Sequence, residues 1–289
     1  MRSTRALRPL FALTCLLLPL GSLRAQRYWH DAQGGNALRL DVAYPFLKGG
    51  GYKFPTFAGI PSMSIRAAEG IRVEADFPFE RAGYDYGTAG SLTSFRVGNP
   101  YIGFRIGDDA KPFSGTLGAR VPLASSPKAG DAIAQQAVNA AVATNFDDYE
   151  AFSPDLSAIR AALEGRWLRK DGLLLGAKLG ASILISTSGN PLAQTVKYLD
   201  YGGRAGYVTG SVQATVAFTG RLVSQAVTGS GFGARTHHAA TGAVELRKGM
   251  VRPRVSLRFP FDKDLKDPNG GCVSACTSVV LGLGFTVMP

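Results

Sequence analysis

The stretch VRPRVSLRFPF, residues 251–261, places an apolar residue at every odd position and arginine at 252, 254 and 258. Successive side chains of a β-strand point to opposite faces, so one face of this strand is apolar and the other carries three guanidinium groups. In a soluble sheet the apolar face packs on a protein core. In a membrane barrel it contacts lipid, and the polar face points into a lumen. This stretch is compatible with both arrangements, so the rest of the chain must distinguish them.

Residues 1–25 have the pattern of a secretory signal peptide. Arg2, Arg5 and Arg8 form a basic start, residues 10–20 are apolar, and small residues lead to a plausible cleavage site after Ala25. The apolar run is shorter than the roughly 18 residues of a membrane-spanning helix. We therefore expect a cleaved signal peptide, 1–25, and one mature domain, 26–289. Cleavage would lower the formal net charge from +11 to +7, because the peptide carries four arginines and no acids.

Two cysteines remain in the mature chain, Cys272 and Cys276, within PNGGCVSACTS. An exported protein meets an oxidising compartment, so we expect these neighbours to form a local disulfide that pins a loop. A metal site would need two more ligands nearby, and none is visible in the sequence. We expect neither a metal nor a cofactor.

The alternation of the opening stretch recurs in twelve segments that are separated by clusters of Gly, Pro, Asn and Asp. The segments are 38–46, 62–68, 71–79, 100–106, 116–123, 158–168, 173–185, 199–207, 211–222, 237–247, 251–261 and 278–287. Residues SFRV, just before the fourth segment, have the opposite parity, which predicts a break at Asn99–Pro100.

The connections between the segments alternate strictly between short and long. In an antiparallel meander, this order places all short connections at one end and all long ones at the other. The pattern is typical of outer-membrane barrels, which have short periplasmic turns and long extracellular loops. The sequence therefore predicts an all-β fold, a transmembrane antiparallel up-and-down barrel of about 12 strands.

All charged residues of the twelve segments lie on the face opposite the apolar one. A charge that faces lipid at mid-membrane costs about 2–4 kcal/mol, which explains this separation. The fourteen basic residues are Arg39, Arg66, Arg72, Arg105, Arg120, Arg160, Arg166, Lys178, Arg204, Arg221, Arg247, Arg252, Arg254 and Arg258. The six acidic ones are Asp41, Glu74, Asp76, Glu164, Asp200 and Glu245.

A surplus of eight positive charges inside a barrel favours a water-filled path that concentrates anions. The alternative is that the arginines pair with acids across a narrow barrel and fill it. Because six acids cannot neutralise fourteen cations, we expect some arginines to face water or a solute, with Arg252, Arg254 and Arg258 as the first candidates. The predicted solute path comprises Arg72, Arg120, Arg160, Arg166, Arg204, Arg221, Arg252, Arg254, Arg258, Glu74, Glu164 and Glu245.

The long connection at 124–157 contains DAIAQQAVNAAVATNF, whose alanines predict a helix of three or four turns. This loop either folds into the lumen as a constriction or caps the rim from outside; the sequence leaves both open.

Catalysis is not expected. His237 faces inward near a loop with Ser224 and Ser230, the pair that a lipid hydrolase at the rim would need, but neither serine stands in a recognisable motif. Nucleic-acid binding is not expected either, because the positive charge is spread over the inward face of every segment.

The mature chain resembles Gram-negative outer-membrane β-barrels over its whole length. GNPYIGFRI (98–106) and GTLGARVPL (115–123) are similar to transporter-like barrels associated with phenol meta-cleavage pathways. The last strand, VLGLGFTV, resembles the C-terminal signal of the barrel-assembly machinery, with Gly282, Phe285 and Val287 at matching positions.

This resemblance implies an outer-membrane location, contacts with membrane lipids and lipopolysaccharide, and assembly through the last strand. Together with the lumen charge, it predicts a passive channel for small anionic or polar solutes. The alternative is a closed barrel with a structural or adhesive role.

Overall fold

The computed structural model describes residues 36–45, 48–49, 52–53, 56–85, 91–107, 112–126, 146–187, 196–223, 236–261 and 279–288. Its strands are β1 (Ala37–Pro45), β2 (Lys48–Gly49), β3 (Tyr52–Lys53), β4 (Phe57–Ala68), β5 (Ile71–Asp76), β6 (Phe79–Asp85), β7 (Ser91–Val97), β8 (Tyr101–Ile106), β9 (Phe113–Arg120), β10 (Leu156–Leu168), β11 (Leu173–Ser186), β12 (Val196–Val208), β13 (Val212–Val223), β14 (Thr236–Leu246), β15 (Val251–Pro260) and β16 (Val280–Val287).

Twelve of these strands close into one antiparallel barrel. Their order around the barrel is β1, β16, β15, β14, β13, β12, β11, β10, β9, β8, β5 and β4. Closure comes from β1, which pairs with β16 on one side and with β4 on the other. The backbone groups of every barrel strand thus have partners on both sides, which a strand in lipid requires. The predicted twelve-stranded up-and-down barrel is confirmed.

The short connections lie at one end of the barrel, as the sequence predicts. They are 69–70, 107–112, 169–172, 209–211 and 247–250. Gly70 and Gly249 have φ of 67° and 87°, a backbone conformation that glycine adopts without the strain of a side chain. The C-terminal strand ends at the same level, because Met288 N donates to Met250 O over 2.9 Å.

Prolines shift several predicted strand ends. The third segment, predicted as 71–79, ends at Asp76, and the fifth, predicted as 116–123, ends at Arg120. Pro78 and Pro122 follow these ends and have no N–H to continue a ladder. The predicted break at Asn99–Pro100 is confirmed, since β7 ends and β8 begins on either side of it.

Residues 80–99, expected to be a loop, instead contain strand structure. β6 and β7 form a hairpin that pairs with β4 at Phe57–Gly59, beyond the part of β4 that faces β5. The parity of this hairpin does not continue that of the barrel strands, so the period-2 pattern of the sequence does not reveal it.

The faces of the barrel have inside-out polarity. On β15, Val255 and Leu257 are 51% and 42% exposed, whereas Arg254 and Ser256 are 8% and 2% exposed. Lys197, the second residue of β12, is the one charged residue on the outward face of the described barrel strands. The outward apolar residues include Leu38, Ile65, Phe104, Leu117, Ile159, Leu163, Leu179, Ile183, Val216, Val244, Leu283 and Phe285. The apolar face of the opening stretch therefore points away from the barrel interior.

Candidate solute path through the charged lumen

The end of the longest loop lies inside the mouth of the barrel at the end with the long connections. This mouth is called the outer mouth below. Residues Phe146–Ala151 form a short 3-10 helix, and Phe152 follows it as one of the largest fully buried side chains. Phe152 belongs to an apolar cluster with inward residues at the outer ends of the strands, namely Ala58, Ile60, Ala158, Leu184, Val196 and Tyr198. Of the two placements considered for the 124–157 loop, its last residues follow the inward one. The predicted helix at 131–146 falls almost wholly outside the described residues.

No helix in the described ranges combines the length and the apolar character needed to cross a bilayer.

A chain of buried ion pairs fixes this segment to the lumen wall. Its members alternate in sign and run Asp76, Arg120, Asp148, Arg160, Glu150, Arg221 and Asp200. Asp148 and Glu150 come from the loop, and the others come from β5, β9, β10, β13 and β12. Three cations therefore face four carboxylates.

The contacts in this network are short and are shielded from water. Arg120 Nη2 lies 2.6 Å from Asp148 Oδ2, and its Nη1 lies 3.0 Å from Asp76 Oδ1. Arg221 donates from both terminal nitrogens to the two carboxylate oxygens of Glu150, over 3.0 Å and 3.2 Å. Its Nε lies 2.8 Å from the Asp200 carboxylate. In such a bidentate pair, two parallel N–H groups of the guanidinium donate to the carboxylate, which is the strongest arrangement for this contact. Arg221 also lies 4.7 Å from the centre of the Tyr198 ring, on its face.

Asn99 fastens the same segment at the break between β7 and β8. Its Nδ2 donates to Glu150 O (2.9 Å) and Ser153 O (2.7 Å), and its Oδ1 accepts from Ala124 N (2.8 Å). Its own N–H donates to Ala151 O over 2.6 Å. An asparagine has only these few donor and acceptor groups, so this buried side chain is well satisfied. Sequence reasoning found the break but not this role; an Asn directly before Pro100 was the available signal.

A second group of ion pairs lies toward the short-turn end. Arg105 Nε lies 3.1 Å from Glu74 Oε1, and its Nη2 lies 2.9 Å from Glu164 Oε2. Lys178 Nζ approaches the other oxygen of Glu164 at 3.0 Å. Arg72 Nε donates to Ser64 Oγ over 2.9 Å. Each of these contacts joins two strands that are adjacent in the barrel or separated by a single strand.

The three arginines of β15, Arg252, Arg254 and Arg258, differ in their interaction partners. Arg254 forms an ion pair with Asp41. Gly284 makes room for this pair, since a Cβ there would lie 2.5 Å from Asp41 Oδ1 and 2.9 Å from Arg254 Nη2. Arg258 has a partner as well. Arg252 differs, because two of its nitrogens, Nε and Nη1, are buried without a hydrogen-bond partner among the described residues.

The remaining residues of the predicted path all lie on barrel strands with inward register. Arg166, Arg204 and Glu245 interact with other groups. The loop contributes two acids, Asp148 and Glu150, that a count over strands leaves out, so among the side chains that the structure describes fourteen cations face eight acids and the surplus is six. The count over the strands alone gives a surplus of eight.

The other predicted sites lie outside the residues that the structure describes or only partly within them. Cys272 and Cys276 are outside, and so are Ser224 and Ser230. His237 pairs through its backbone with Arg221, and His238 points to the outer face, where its ring stacks on Phe218 at 5.8 Å.

Comparison with solved structures identifies this barrel type. No protein-family model matches the chain, and no curated protein matches its sequence significantly. An outer membrane channel from Pseudomonas putida F1 matches with a TM-score of 0.59 and 9% identity, covering 92% of this chain and all of that one. The NanC porin matches with a TM-score of 0.52 and 8% identity, covering 87% of this chain and 100% of that one. The translocator domain of the autotransporter NalP from Neisseria meningitidis gives a TM-score of 0.52 and 10% identity, covering 97% and 93%.

At these identities the likeness concerns the fold. The chain has the fold of an outer-membrane β-barrel, as its sequence resemblance implies.

Proposed function

We propose that this chain is an outer-membrane protein of a Gram-negative bacterium and forms a passive channel for small solutes, with a preference for anions. The observation that carries the proposal is the closed barrel whose outer face is apolar and whose lumen is lined by charged side chains with a surplus of cations. Fold neighbours that are channels or porins support the passive channel.

The distribution of charge supports the anion preference. The ion-pair network at the outer mouth uses three of the fourteen cations and four of the eight acids. Eleven cations and four acids of the described part of the chain remain along the rest of the lumen, a surplus of seven positive charges. Like charges between low-dielectric walls raise the local concentration of anions and repel cations. A passing anion is therefore stabilised over most of the length of the barrel.

The same proposal covers how the protein reaches the membrane and what it contacts there. Residues 1–25 direct export and are removed, and the last strand, β16, is the segment that the barrel-assembly machinery recognises. The outward apolar residues contact membrane lipids, with lipopolysaccharide on the outer side. Transport runs down a gradient, and the chain is not an enzyme.

Planar-bilayer recording of the refolded mature protein tests the channel. In a KCl gradient we expect discrete conductance steps and a reversal potential shifted toward that of chloride. A reversal potential shifted toward potassium would contradict the anion preference but not the channel. A bilayer that stays silent although the protein inserts would contradict the channel itself.

The buried ion-pair network favours a second candidate, a closed barrel with a structural or adhesive role. Arg221 and Glu150 are fully buried, so the outer mouth on the side of β9–β13 is filled by protein. A silent bilayer in the same recording would support this role.

A further inference from the structure

Arg252 stands apart from the other arginines of the lumen. It is the second residue of β15, two positions after Met250 in a short turn, so it lies at the periplasmic mouth. Its Nε and Nη1 are both buried, and neither has a hydrogen-bond partner among the described residues. Buried guanidinium donors without acceptors are unfavourable in free energy, and an anion at this position would supply the acceptors that they lack.

The strand register places a hydroxyl and a second guanidinium beside Arg252. Arg252 pairs with Thr286 on β16, and Thr286 pairs on its other side with Arg39 on β1. The three side chains share the inward face, and Thr286 is buried. Neighbouring strands are about 4.8 Å apart, so the two arginine backbones are about 10 Å apart with the threonine between them. Two long side chains can close on a small oxyanion from both sides at this spacing.

This arrangement is not repeated at Arg254, the next inward position of β15. One step along β15, Arg254 is neutralised by Asp41, and the pair occupies the room above Gly284. Arg39 is buried, and both carboxylates (Glu74, Asp41) and guanidinium groups (Arg105, Arg254) lie near it. Among the described residues, Arg252 is thus the one arginine with two buried nitrogens, Nε and Nη1, that lack a hydrogen-bond partner.

We propose that Arg252, with Thr286 and Arg39, forms an anion-binding subsite at the periplasmic mouth. Its ligand is an oxyanion group of a small solute, a carboxylate or a phosphate. A guanidinium presents a planar fork of donors that fits two oxygens of such a group, and a threonine hydroxyl can donate to a third acceptor. The subsite deepens the proposed channel function and rests on it, because it gives passing anions a defined contact at one end of the lumen.

Inorganic phosphate is the probe for a binding test that needs no conductance. Thermal unfolding of the mature protein, refolded in detergent, is followed at rising phosphate and at constant ionic strength held with chloride. Phosphate should raise the unfolding temperature, because a ligand that binds only the folded state stabilises it. In Arg252→Gln we expect the phosphate concentration that gives the same shift to rise by about tenfold or more.

Arg169→Gln is the matched control, since it removes one positive charge at the same end of the barrel but outside the lumen. Arg169 is 67% exposed and pairs with Asp171 in the turn after β10. The control should respond to phosphate as the unaltered protein does. Equal phosphate responses in Arg252→Gln and Arg169→Gln would overturn the subsite, as would a complete lack of response in the unaltered protein.

A second readout separates the subsite from the channel. Phosphate added on the periplasmic side should reduce the chloride current of single channels, and Arg252→Gln should relieve this block by a similar factor. Channels that conduct but ignore phosphate would overturn the subsite and leave the channel standing. A silent bilayer, with phosphate stabilisation that still depends on Arg252, would overturn the channel and leave the binding group.

Discussion

Replacing Glu150 with Gln tests how firmly the loop segment is held inside the lumen. Glu150 accepts from both terminal nitrogens of Arg221 and lies 3.2 Å from Arg160 Nη1, with all three side chains buried. Gln has nearly the same size but no charge, and its amide nitrogen cannot accept from a guanidinium. Breaking a buried pair by neutralising one partner costs about 3–5 kcal/mol, because the other charge stays buried. Asp200 still compensates Arg221, so we expect a loss of about 3 kcal/mol, the lower end.

The measurement is the free energy of unfolding in urea, with the protein refolded in phospholipid vesicles and followed by tryptophan fluorescence. Asp171→Asn is the control, since it also neutralises one carboxylate of an arginine pair, Arg169–Asp171 at 3.2 Å, but in an exposed turn. Exposed pairs contribute less than about 1 kcal/mol. If Glu150→Gln cost no more than Asp171→Asn, the account of a loop anchored by buried ion pairs would be refuted.

Three further predictions are tested by the same unfolding assay or by hydrogen exchange. Leu257→Arg, on the lipid-facing side of β15, should cost about 2–4 kcal/mol near mid-membrane, and an unchanged stability would contradict the outward placement. Gly284→Ala brings a methyl group to 2.5 Å from a carboxylate oxygen and should cost about 1–3 kcal/mol, whereas Gly242→Ala, with nothing within 4 Å, should be nearly neutral. Burial raises the pKa of Glu80 to about 8, against a smaller opposing effect of Arg96, so the fold holds the protonated form. The stability of the β6–β7 hairpin should therefore be greatest below the ordinary carboxyl pKa and fall as the pH rises to about 8. Hydrogen exchange across this range should show the fall, and Glu80→Gln should remove it.

The barrel was predictable because each of its strands repeats one simple pattern. An outward residue such as Leu163 faces an apolar environment, and an inward one such as Glu164 faces a polar lumen. This difference imposes the period-2 alternation directly on the sequence. The alternation of short and long connections then fixed which ends of the strands face the same side. Both signals are local, and the structure confirms both.

The contents of the lumen were predictable only in part. Asp148 and Glu150 stand in a loop, and a loop has no periodicity that reveals whether it turns into the barrel or away from it. Their position depends on contacts with Arg120 and Arg221, which are distant in sequence. Three acids in the segment FDDYEA, in a barrel with surplus arginines, were the only hint. The separate behaviour of Arg252 likewise depends on which neighbour Asp41 pairs with, and strand alternation says nothing about that.

Thiol labelling along β15 tests the inside-out polarity most directly. Val255→Cys, Ser256→Cys and Leu257→Cys are each made with Cys272 and Cys276 replaced by Ser, refolded in vesicles and exposed to a thiol reagent dissolved in the lipid phase. The outward exposure of positions 255 and 257 predicts that both react, while position 256, which faces the lumen and is buried, stays protected from the lipid-dissolved reagent until the protein unfolds. Rapid reaction at position 256 with protection at 255 and 257 would contradict the account.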